Sequence, residues 1–325
     1  MKRRDFIAGL GGAAAAWAYA THAQQVGKIY RIGVLTPVPA AQNVANLDAL
    51  RKGLLELGYV EGRNLVIEYR SADGRAERFP ELASELVRLG VDLLVAWGTP
   101  ATMAAKNANG TTPVVMAAMG GPGAIVASFA RPGGNITGVT TFSTELSGKR
   151  VEILKELVPS LSRVGLLHNM GNPAVPPEWE ETKKAARGLG LQAELLDVRN
   201  QDDVSRAFEW AVRHQVDALV IGADGLTQAH QQMIVELAAR DRLPAIYPAR
   251  EFVEAGGLIG YGVSYPDLYF RFASFADKIF KGAKPGEIPV EQPTKFDLVL
   301  NQKTAKTLGL TIPPTLLVRA NDVIE

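Results

Sequence analysis

Arg31-Ile32-Gly33-Val34-Leu35 and, 132 positions later, Arg163-Val164-Gly165-Leu166-Leu167 decide how this chain is read. Each is a short apolar run of the kind that forms a strand buried on both faces. The surroundings repeat in the same order. Leu57-Gly58 closes a helical pattern ahead of a strand at 65–69, and Leu189-Gly190, again 132 positions on, does so ahead of a strand at 193–198. Val91-Asp92-Leu93-Leu94-Val95 returns as Val216-Asp217-Ala218-Leu219-Val220 after 125 positions, and Pro113-Val114-Val115 as Pro244-Ala245-Ile246 after 131. Four landmarks in one order at nearly one spacing indicate duplication of an ancestral unit. Strands alternating with helical patterns indicate βαβ units, so the expected class is α/β with two doubly wound parallel-sheet lobes.

Open parallel sheets bind ligands beyond the carboxyl ends of their strands, so two such lobes set edge to edge enclose a cleft between facing loops. The first lobe is expected at 29–140 plus 258–290, and the second at 141–257 plus 291–325. Gly256-Gly257 followed by a strand at 258–263 reads as a hinge strand returning to the first lobe, where a helix at 268–281 packs. Residues 289–296 then cross back, and a three-segment hinge of this kind bends without swivelling freely.

The 325 residues are 47 % apolar and 21 % charged, an ordinary globular composition with room for two cores. Lys2, Arg3 and Arg4 precede an apolar, small-residue stretch at 6–20 with cleavage sites near Ala20 and Ala23. We read residues 1–23 as a cleaved export signal, since about 20 strongly apolar residues are needed to span a bilayer. Arg3-Arg4-Asp5-Phe6-Ile7 resembles a twin-arginine signal, and the general secretory route stays open beside it. Without that segment the charge is near balance, which steers nothing toward nucleic acid. The absence of cysteine excludes disulfides, thiolate metal sites, a catalytic thiol and a lipidated N-terminus. A mature product with no lipid and no second apolar run floats free, so a monomer retained in a periplasm by an outer membrane is the expectation.

Candidate ligand contacts are the strand ends. In the first lobe these are Thr36-Pro37, then Trp97-Gly98-Thr99 with Pro100 opening a helix, and Met119-Gly120 after the fourth strand. Thr99 reads as the N-cap with Pro100 at the first helical position. Free amides there can hold a carboxylate, although a well-capped helix needs no ligand. In the second lobe the equivalent ends carry Asn169-Met170, Asp224 and Tyr247 to Glu251. Asp224 or Glu251 offers a carboxylate to an ammonium, while Phe142, Tyr247, Trp97 and Tyr261 offer apolar walls. Asp224 equally suits a turn ahead of a helix near Thr227, Trp97 a core position and Glu251 the solvent.

Catalytic signatures are missing. His168, His214 and His230 lie in separate elements without metal-ligand spacing, and His214 and His230 read as solvent-facing. The chain beyond the export signal holds no nucleophile elbow, zincin motif or phosphate loop. No cofactor, metal or catalytic residue is therefore expected.

Several stretches resemble one known family. They are Arg31 to Leu35, Leu54 to Leu65, Ala130-Arg131-Pro132-Gly133-Gly134-Asn135-Ile136-Thr137-Gly138, Val290-Glu291-Gln292-Pro293-Thr294-Lys295-Phe296 and Ala305 to Pro314. They are similar to ABC-transporter substrate-binding proteins of the type that includes tryptophan- and tyrosine-binding members. The resemblance implies a type I periplasmic-binding-protein fold, capture of a carboxylate or amino acid, delivery to permease subunits in the inner membrane, and no catalysis. It also implies a ligand carboxylate at the Gly98-Thr99-Pro100 helix start. Many relatives carry Asp where this chain has Gly121, a departure that leaves room for a less basic solute, such as an aromatic or branched carboxylate, beside an amino acid. Two competing functions share the cleft: presentation of a solute to a membrane kinase, and a secreted enzyme on the same scaffold.

Overall fold

Two sheets with one strand order account for the duplication. The structure is a computed structural model and describes residues 28–118, 125–141 and 143–325. The expected export signal at 1–23, Met119, Gly120, Gly121 and Phe142 lie outside the described residues.

The first half runs β1 (Tyr30–Thr36), α1 (Val44–Glu56), β2 (Leu65–Ser71), α2 (Phe79–Arg88), β3 (Leu93–Trp97), α3 (Thr99–Asn109), β4 (Val114–Ala118) and β5 (Ile136–Thr140). Its strands form an all-parallel sheet in the order β2-β1-β3-β4-β5. The second half runs α4 (Ser143–Leu157), β6 (Arg163–His168), α5 (Pro176–Gly188), β7 (Gln192–Asp197), α6 (Gln201–Arg213) and β8 (Ala218–Ile221). It continues through α7 (Gly225–Ala229), α8 (Gln231–Arg240), β9 (Ala245–Tyr247), α9 (Arg250–Glu254) and β10 (Ile259–Gly262). These strands order as β7-β6-β8-β9-β10, the first pattern over again. The register repeats as well, with Ile32 opposite Leu93 in the first sheet and Val164 opposite Ala218 in the second. Glycines 33 and 165, next along, leave room for leucine side chains of the neighbouring strand, Leu94 and Leu219.

The duplication corrects one expectation. The strand at 258–263 does not return to the first lobe, because β10 is the counterpart of β5 and hydrogen-bonds with β9 in the second sheet. The chain crosses only after it, into α10 (Tyr265–Phe280), which packs along α1. Leu268, Phe272, Phe275 and Ile279 of α10 are buried at helical spacing, which is why the helix docks on that one face. Residues 290–291 then line the free edge of β5: Glu291 N donates to Gly138 O at 2.9 Å and Thr140 N to Glu291 O at 3.0 Å. That pairing shields an otherwise open edge. Beyond it the chain re-enters the second sheet as β11 (Asp297–Asn301), antiparallel to β10, and ends with α11 (Gln302–Leu308), α12 (Pro314–Arg319) and β12 (Asp322–Ile324). Three covalent connections thus join the sheets. No helix among the described residues is long and apolar enough to cross a membrane.

Candidate ligand-binding cleft

The carboxyl ends of the strands face one another across a cleft whose wall is mostly apolar. Pro37, Phe79, Trp97 and Pro100 line it from the first lobe, and Leu226 and Pro248 from the second. Val263 lines it from the connection between β10 and α10, and Tyr265 from the start of α10. Its cavity measures about 50 Å³, room for the centres of only a few waters, so the lobes stand close together. They touch directly. Trp97 Nε1 donates to Gln228 Oε1 across the gap at 3.0 Å, and a Cβ on Gly225 would lie 2.8 Å from that of Pro37.

Trp97 is held in place by stacking on Tyr269, centroids 5.0 Å apart, and by an edge contact with Tyr265 at 4.8 Å. It is therefore both core and cleft wall, which resolves the two readings of that residue. Gly98, rather than Thr99, caps α3: its φ of +88° is open to glycine and strained for other residues. Thr99 and Pro100 accordingly take the first two helical positions. Thr99 is buried against the cleft.

In the second lobe Asp224 caps α7, which starts at Gly225, two residues before the expected start near Thr227. Its Oδ1 accepts from Leu226 N at 2.8 Å and from Asn169 Nδ2 at 3.3 Å, and its Oδ2 from Asn172 Nδ2 at 2.8 Å. The carboxylate thus organises the loop around it. Asn169 and Asn172 line the cleft beside it.

Among the candidates, Pro37, Trp97, Gly98, Thr99, Asn169 and Asp224 converge on the cleft, while Thr36, Met170, Tyr247, Glu251 and Tyr261 do not line it. Thr36 is fully buried and its hydroxyl faces Tyr69 and Tyr269. Met170 is anchored through its backbone amide to Asp197. Tyr247 is core, stacked on Phe252. Burial pushes the Glu251 carboxyl up to about 7, so it is a desolvated group behind the wall and not a solvent-facing one. Tyr261 acts through its carbonyl. His230, expected at the solvent, is half-buried against Gly74 at the rim, where burial lowers its pKa.

Sequence reasoning missed Phe79, Asn172, Leu226, Gln228 and Tyr265 and, of most consequence, Arg150. It lies on α4, is 2 % exposed and lines the cleft. Its Nε donates to the Tyr261 carbonyl at 2.9 Å, and its Nη1 has no hydrogen-bond partner among the described residues. Burial lowers its pKa, and the charge of Glu178 opposes that shift. Glu178, on α5, is completely buried. Burial would raise its carboxyl, but His168 and Arg150 outweigh that and hold it below its ordinary range. His168 Nδ1 accepts from Asn169 N at 2.9 Å, so the ring proton sits on Nε2 and is donated to Glu178 Oε2, also at 2.9 Å. Both ring nitrogens are thereby committed. The available signal was Arg150's place in the apolar stripe Leu146, Ile153 and Leu157 of its helix, all buried.

An unpaired N–H on a buried charged group costs more than the roughly 1 to 3 kcal/mol of a neutral one. An acceptor placed at Nη1 would remove that cost.

The sequence profile of ABC transporter substrate binding proteins matches residues 31–324. The chain belongs to that family. It is similar to a tyrosine-binding protein of Clostridioides difficile, 25 % identical over 82 % of this chain and 78 % of that one. It is also similar to two solved structures, each matched over 91 % of this chain. A conserved domain protein from Vibrio cholerae is 28 % identical, matched over 100 % of its length with a TM-score of 0.85. An ABC domain from Streptococcus pneumonia in complex with L-Trp is 29 % identical, matched over 99 % of its length with a TM-score of 0.83. The family is one of substrate-binding proteins, and the fold is of the type I periplasmic-binding class.

Proposed function

We propose that this protein is the exported, periplasmic solute receptor of an ABC importer, which closes on a small carboxylate with an apolar body and releases it unaltered to a membrane permease. The observation that carries the reading is the buried Arg150 guanidinium, its Nη1 unpartnered among the described residues, in a cleft whose wall is mostly apolar. A carboxylate supplies the missing acceptor, and the walls of Trp97, Phe79, Leu226 and Tyr265 accept a hydrocarbon or aromatic body. Tyrosine and tryptophan, named for two relatives, are of that general kind. Release without chemistry agrees with His168, whose two nitrogens are used inside the protein and leave no base for a solute. The solute contacts both lobes and so favours the closed form, the shape a permease recognises. Thr99, Asn169 and Asn172 supply polar contacts around the carboxylate.

The test is a thermal-shift screen of the purified protein at pH 7 against carboxylates, amino acids and polyols. Ligands that bind only the native state raise its melting temperature. Apolar carboxylates are expected to stabilise it. A response to polyols with none to any carboxylate refutes the reading.

A further inference from the structure

We infer that the cleft selects a monocarboxylate that lacks an α-ammonium group over the corresponding amino acid. The inference rests on the proposed carboxylate site and specifies the solute further.

A bound amino acid brings one anion and one cation into the same desolvated space, and each needs a partner there. Arg150 serves the anion. For the cation, Asp224 is the one carboxylate side chain lining the cleft among the described residues. It is already engaged by the Leu226 amide and by the side-chain amides of Asn169 and Asn172. Those contacts also cap α7 and fix the two asparagines, so an ammonium must break into an ordered loop to reach it. Glu178 is out of reach because it is completely buried and does not line the cleft; its Oε2 accepts from His168, and its Oε1, unpartnered among the described residues, is enclosed in the protein. The residues next to β4 and α4 in the sequence that lie outside the described ones add no carboxylate. Residues 119–124 read Met-Gly-Gly-Pro-Gly-Ala and residue 142 is Phe, so neither holds an acidic side chain. Gln228 cannot substitute, since its carbonyl oxygen receives the Trp97 indole. The described cleft therefore gives one charge of a zwitterion a counter-charge and leaves the other only neutral acceptors, such as the hydroxyls of Thr141 and Ser143, unpartnered among the described residues.

The experiment is calorimetric titration of the full-length processed protein with matched pairs: 3-phenylpropanoate against L-phenylalanine, indole-3-propanoate against L-tryptophan, and 4-methylpentanoate against L-leucine. The deamino acid of at least one pair is expected to bind at least tenfold more tightly than its partner, with that binding lost in Arg150→Met. If an amino acid binds as tightly as its deamino partner or more so, and Arg150→Met abolishes it, the selectivity is overturned while the carboxylate site stands. If no member of any pair binds, or if binding is indifferent to Arg150→Met, the carboxylate site falls and the inference with it.

Discussion

The indole N–H of Trp97, at the end of a first-lobe strand, donates to the side-chain oxygen of Gln228 on a second-lobe helix at 3.0 Å. One hydrogen bond thus spans the cleft and exists only when the lobes are together. A partly buried neutral bond of this kind contributes about 0.5 to 1.5 kcal/mol. Gln228→Ala is expected to weaken solute binding about two- to tenfold, mainly through faster dissociation, with the melting temperature of the solute-free protein nearly unchanged. Stopped-flow dissociation rates check it, and an unchanged rate removes the latch.

Gly225 sets how closely the lobes approach. An added Cβ would stand 2.8 Å from Pro37 Cβ, whereas the φ at this position is not in the left-handed region. Gly225→Ala should therefore leave each lobe intact and obstruct closure alone, at the roughly 1 to 3 kcal/mol typical of overpacking. Small-angle scattering with saturating solute should give a larger radius of gyration than for the unsubstituted protein, and affinity should fall tenfold or more.

On the proposed reading Arg150 is the anion partner and Glu178 the buried charge behind it. Arg150→Met should cost about 2 to 5 kcal/mol of carboxylate affinity. Alone it strands the Glu178 carboxylate, so stability should fall too. Arg150→Met combined with Glu178→Gln should restore much of the stability and none of the binding, which separates a binding role from a folding one by paired melting and titration measurements.

Glu251 imposes a pH dependence. Its folded pKa, raised to about 7 from an ordinary 4.5, means that the folded chain holds a proton the unfolded chain has lost between those values. Its contribution to stability is therefore full below pH 4.5, declines as pH rises through 7 and is flat above. Glu251→Gln should leave stability similar at pH 4.5 and raise it by on the order of 1 to 2 kcal/mol at pH 8, after discounting for partial solvent access. Denaturant titrations at the two pH values check this; an equal effect at both excludes it.

Much of the architecture was legible because buried parallel strands are continuous apolar runs, and duplicated runs align with themselves. The repeat at Arg31 and Arg163 implied two sheets of one topology, and the strand ends led to Pro37, Trp97, Gly98, Thr99, Asn169 and Asp224. Strand membership at the junction was not legible. Residues 258–263 are apolar and follow two glycines, which suits a hinge strand and a fifth sheet strand alike; only hydrogen bonding with β9 and β11 separates them.

Local sequence determined the strands, the helices and the loops at the strand ends, since periodicity and turn chemistry act over a few residues. Tertiary structure alone decided the chemistry of the cleft. Lys149 and Arg150 are adjacent basic residues in one helix, yet Lys149 pairs with Glu152 at the surface and Arg150 is buried with an unpartnered N–H. The difference arises because α4 packs its inner face against the second sheet and the cleft, and the desolvation of a charge depends on what surrounds it in space.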